Sequence, residues 1–153
     1  MKGINKSEAK YILTAGLFAF VFFVVILPNV LSSIVKLSPI IQFLIFNIGI
    51  FVFFQIFLKS VALEKKVKLG YTLGIVLLFM AIDILVPPFL VSTSGELISG
   101  GNLFASSSDY VIGLLAQNIG LSGFLIYGFT YVLFPLILLI LASLLLKNFV
   151  KEI

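Results

Sequence analysis

Long apolar stretches, parted by short polar ones, set the rhythm of this chain. The first charge-free run starts at Tyr11, after Lys2, Lys6 and Lys10, and reaches about as far as Val35. A second goes from Pro39 to Leu58 and carries four Phe between Phe51 and Phe57. A third goes from Gly70 to Val91 with one charge, Asp83, and the last from Leu121 to Leu146, stopping at Lys147. Runs of about 20 apolar residues match the hydrocarbon thickness of a bilayer when helical. In lipid the backbone must satisfy its own hydrogen bonds, which leaves helices or closed barrels. The pattern predicts an all-α membrane protein, a four-transmembrane-helix bundle forming a single domain, with spans over 11–33, 39–58, 70–91 and 121–146. The first run exceeds the roughly 7–15 apolar residues of a signal peptide and lacks a small-residue cleavage site, so it is read as a retained span ending near Pro28 to Ser33.

The connection over 92–120 has a different texture. Its first part is rich in Ser and Gly, including Gly95, Gly100 and Gly101, and reads as loop. Ser106, Ser107 and Ser108 then offer N-caps, and Asp109 stands where a first-turn acid favours the helix dipole. Val111, Leu114, Leu115 and Ile119 recur at helical spacing. One helix from Asp109 to Leu146 would be about 57 Å long, nearly twice the hydrocarbon thickness. A break at Gly120 to Gly123 is therefore expected, making the preceding piece a short interfacial or re-entrant helix.

Composition agrees with a lipid environment: 61% of the 153 residues are hydrophobic and 10% are charged, against roughly half and a quarter in soluble domains. With no Cys and no His, thiol redox chemistry, iron–sulfur ligation, Ser-His-Asp catalysis and most transition-metal sites have no side chains to work with. All ten basic residues are Lys, so no guanidinium is available for a bidentate grip on phosphate. No catalytic, cofactor or metal site is expected, and no nucleic-acid partner. The net charge of +4 is instead an orientation signal. With the N-terminus inside, Lys2, Lys6, Lys10, Lys59, Lys65, Lys66, Lys68, Lys147 and Lys151 fall on the inner side and only Lys36 on the outer. That asymmetry predicts cytoplasmic termini and a multi-pass protein of the plasma membrane.

Asp83 is the residue that asks for an explanation. Ionisable groups inside a span are costly and often mark ion or proton paths. Counting eight residues back from Val91 puts it roughly 12 Å deep. The same count brings Asn47 of span two to a similar level, with Tyr127 and Tyr131 on one face of span four and Asn29 nearer the outer end of span one. A polar cluster of Asp83, Asn47, Tyr127, Tyr131 and Asn29 in the outer half of the bundle is the candidate site. The plainer reading makes Asp83 a neutral carboxyl acting as structural glue between helices. Pro87 and Pro88 are expected to end or kink span three. Gly70 and Gly74, like Ala15 and Ala19, permit close helix approach within the chain or between copies. The 17 Phe are read mostly as lipid-facing bulk. Together these features lead to a non-catalytic accessory or structural subunit of a membrane complex, in contact with lipid and with other subunits or itself. The alternative is a small oligomeric ion or proton channel or transporter that uses Asp83.

Overall fold

The computed structural model describes residues 6–27, 30, 34, 37–94 and 107–152, with side chains described over 7–23, 26–27, 30, 34, 37–85 and 107–147. All regular structure among these residues is helical. Helix α1 (Lys6–Phe20) continues into a π-helical turn, Val21–Ile26. Helix α2 (Pro39–Phe57) ends in a 3-10 turn, Leu58–Ser60, and α3 covers Lys65–Ser94. Helix α4 (Ser107–Asn118) precedes α5 (Phe124–Gly128), which passes through a second π turn, Phe129–Leu133, into α6 (Phe134–Glu152). Among the described residues, three helices are long and apolar enough to cross a membrane: Pro39–Ser60, Lys65–Leu85 and Phe124–Lys147.

Local chemistry sets several of these boundaries. The Ser38 hydroxyl accepts the Ile41 N–H at 3.4 Å and Pro39 stands at the start of α2, where a missing N–H costs nothing. At the other end the Ser60 hydroxyl donates to the Phe57 carbonyl at 3.1 Å. The second π turn stops two residues short of Pro135. A proline ring crowds the carbonyl four residues earlier and offers it no N–H. Widening the preceding turn to five-residue hydrogen bonds, as from the Phe134 N–H to the Phe129 carbonyl, relieves that crowding. Pro87 and Pro88 behave otherwise and do not end α3, whose backbone stays helical through them to Ser94, about 45 Å in all. The fixed φ of proline is itself helical, and the two lost donors and the crowded carbonyls before them are costs that membrane helices tolerate.

Helices α3 and α6 run antiparallel and approach closely, Gly70 facing the Leu145 carbonyl and Gly74 facing Leu146 and Ala142. The Gly70 and Gly74 pair thus serves contact inside the chain. One core joins α1, α2 and the first half of α3 through Ile12, Ala19, Phe23, Phe46, Ile50, Phe54, Tyr71 and Phe79. A second, smaller core holds Ala81, Ile84, Ile112 and Leu138, with Phe129, Tyr131 and Phe134 packed against it. Phenylalanine is a structural residue here more than lipid-facing bulk. Phe54 meets Tyr71 edge-on at 5.7 Å and Phe20 meets Phe79 edge-on at 5.5 Å between ring centroids. Such geometries add about 0.5–1.5 kcal/mol beyond area burial. Phe18, Phe22 and Phe124 do face outward.

Candidate functional site

Helix α4 is the element that gathers polar groups. Its inward face is Ser108, Asp109, Ile112, Gly113 and Ala116, packed against α2, α3 and the π turn of the last helix. Leu115 and Ile119, members of the apolar stripe used to recognise the helix, are instead 44% and 58% exposed. Polar Gln117 and Asn118 are exposed beside them, while Ile112 is buried with the small and polar residues of the inward face.

The inward face places Asp109 against the last helix. Its carboxylate oxygen Oδ2 accepts a hydrogen bond from the Tyr131 hydroxyl at 3.0 Å, and Asp109 itself has no solvent exposure. Tyr131 sits seven residues into the helix that starts at Phe124, about 10 Å along its axis. The bond therefore holds the first turn of α4 at that level. Between them the chain reverses at Gly120 and Gly123, whose φ of +87° and +54° lie where only glycine is at ease. Helix α4 and the last helix thus form an antiparallel hairpin, latched at its far end by Tyr131 and Asp109.

The residues expected at the site divide accordingly. Asp83 is 8% exposed on α3, between Ala81 and Ile84 of the smaller core. Tyr127 and Tyr131 stack at 6.2 Å between centroids, with Tyr131 turned to Asp109. Asn47 spends its side-chain amide on its own helix, donating to the Phe43 carbonyl at 2.8 Å. Asn29 lies outside the described residues. Two fully buried hydroxyls join the set unannounced: Ser108, next to Asp109, and Thr130, next to Tyr131. Neither hydroxyl has a hydrogen-bond partner among the described residues. A separate polar contact ties α2 to α3, where the Gln55 amide donates to the Thr72 hydroxyl at 3.1 Å and Thr72 donates to the Lys68 carbonyl at 2.9 Å.

Among the described residues no three acidic side chains gather as a metal-ion site. An apolar groove of about 250 Å³ along α5, lined by Leu121, Phe124, Leu125, Gly128, Phe129 and Leu133, offers no polar group for chemistry. No family model, curated protein or solved structure matches the chain.

Proposed function

We propose that the chain is a four-span subunit of a membrane assembly, without catalysis of its own, in which α4 is a re-entrant helix. The first apolar run supplies the fourth crossing, beside the three helices already identified. The buried Ser108 and Asp109 and the exposed Leu115 and Ile119 support its immersion in lipid. The Lys distribution supports cytoplasmic termini, and the plasma membrane is the expected location.

The observation that carries the assembly reading is how little of two spans is packed. Only 17% of the apolar window in α2 and 22% of that in the last helix is buried within the chain, against 44% in α3. Two sides of the bundle therefore present long apolar surfaces to lipid or to neighbouring helices, and the short connections leave little else for recognition. Extraction in mild detergents followed by native electrophoresis tests this. Co-migration with other polypeptides, or as a defined homo-oligomer, is expected; a lone monomer in several mild detergents would refute it.

The burial of Asp83 inside α3 favours a second reading, a small channel or transporter. Cation or proton flux into liposomes should then fall on Asp83→Asn. Equal leak from both proteins, matching empty vesicles, would dispose of it.

A further inference from the structure

The contact between Gln55 and Thr72 fixes the register of α2 against α3, and with it the place of two lysines. The Gln55 amide reaches the Thr72 hydroxyl at 3.1 Å. Lys59 stands about one turn further along, in the 3-10 turn that closes α2. Lys68 stands one turn before Thr72, its carbonyl accepting the Thr72 hydroxyl at 2.9 Å. Packed helices joined by so short a corner run antiparallel, so both steps lead to the same end of the bundle. Lys59 and Lys68 are therefore opposite each other at one level, each in the outermost turn of a membrane-length helix. Helices in contact lie about 8–10 Å apart, a gap that two lysine side chains can close around one anion. Tyr11 stacks on Phe57 at 4.8 Å and brings Lys10 to the same corner, where Lys65 and Lys66 are also exposed. Glu8 and Glu64, the acids described nearby, leave this end positive.

The same register lays an apolar strip beside the lysines. In an antiparallel pair, the residues that follow two facing positions turn about 100° to the same flank of the contact. Ile56 follows Gln55 and Leu73 follows Thr72, while Val52 and Leu69 lie four residues before them on the same faces. Ile56 is 62% exposed, Val52 46%, Leu69 45% and Leu73 39%. Keeping a connection on one side of the membrane needs lysines, but not two opposed ones at the end of an exposed apolar strip. A free phosphate would leave that strip unused, and a zwitterionic lipid would bring its own cation to the lysines. One molecule with an anionic head and a hydrocarbon tail matches both parts, and basic residues at a membrane surface gain from anionic headgroups. We infer that the α2–α3 corner holds an anionic phospholipid, its phosphate between Lys59 and Lys68 and an acyl chain along Val52, Ile56, Leu69 and Leu73. The site requires only that this end of the bundle lies at a membrane surface. It stands whichever side that surface faces, and whether or not the chain joins an assembly.

The test is thermal unfolding of the purified full chain in a non-ionic detergent, titrated with phosphatidylglycerol. Phosphatidylcholine of the same acyl chains and inorganic phosphate at constant ionic strength are the parallel arms, one supplying tails without net charge and the other charge without tails. Phosphatidylglycerol should raise the midpoint saturably, by roughly 5–10 °C at one hundred times Kd, and the other two should not. Lys59→Gln and Lys68→Gln should each weaken the apparent affinity for phosphatidylglycerol about fivefold, and together roughly thirtyfold. Lys68→Arg, which keeps the charge, should bind within about twofold of the native chain. Lys147→Gln, at the end of α6 and away from this corner, should also change the affinity by less than about twofold. An equal rise with phosphatidylcholine or inorganic phosphate, unchanged affinity in the Lys59 and Lys68 double variant, or an equal loss in Lys147→Gln, the mark of a diffuse basic surface, would each overturn the proposal.

Discussion

Replacing Gly74 by Ala would set a methyl group 2.9 Å from Leu146 Cγ and 3.0 Å from its Cδ2, with the Ala142 carbonyl oxygen 3.4 Å away. Carbon atoms in good contact lie about 3.5–4.0 Å apart, so Leu146 must move or the two helices must separate. Overpacking of this kind costs about 1–3 kcal/mol. The same substitution gains about 1 kcal/mol of helix propensity, giving a net loss of about 0–2 kcal/mol. In a Leu146→Ala background the obstructing carbons are gone, and only the propensity gain and the looser Ala142 contact remain. Gly74→Ala should there be neutral or stabilising, so the double-mutant cycle should show a coupling of about 1–3 kcal/mol. Unfolding in mixed micelles with rising dodecyl sulfate, followed by helical circular dichroism, measures all four proteins. Should Gly74→Ala shift stability equally in both backgrounds, within the 0.3–0.5 kcal/mol or so of ordinary additivity, the close approach of α3 and α6 at this point is refuted.

Three further outcomes are expected. Tyr131→Phe removes the donor to a buried carboxylate and should cost about 1.5–3 kcal/mol in the same unfolding assay; a loss under about 0.5 kcal/mol would show that the latch adds nothing. Thr72→Val takes away the acceptor for Gln55 and should cost about 0.6–1.7 kcal/mol, with little further loss when Gln55→Leu is added; full additivity of the two would deny that they meet. Single cysteines at the exposed positions Ser60 and Ser122 should react with an impermeant thiol reagent from opposite faces of sealed vesicles, and labelling of both from one face would overturn the proposed topology.

The apolar helices were legible because lipid demands long runs without charge, and the Ser38–Pro39 start of α2 because capping is written in adjacent residues. What stayed hidden depended on which way a helix faces. Periodicity identified α4 from Val111, Leu114, Leu115 and Ile119 without showing which face packs inward. The packed side is Ser108, Asp109, Ile112, Gly113 and Ala116. Counting depth along helices placed Asn47 near Asp83 in level but not in azimuth, and its amide turned back to Phe43. The pairing of Asp109 with Tyr131 crosses 22 residues and a reversal at two left-handed glycines. No local pattern announces such a contact, although a carboxyl on the small-residue face of a helix was a signal that could have been weighed.

The wide turn ahead of Pro135 has a consequence for how this helix tolerates change in length. Removing a residue from a regular transmembrane helix swings everything on one side of the cut by about 100° relative to the other, exchanging lipid-facing and packed surfaces. At Phe129–Leu133 one residue is already in excess of a regular turn. Excising the outward-facing Val132 would tighten that turn and leave Tyr127 and Leu138 in phase on either side of it. A chain shortened by one residue there keeps both halves of its last helix aligned with their neighbours, at the cost of renewed crowding by the Pro135 ring, whereas the same cut in a regular stretch turns one half out of register.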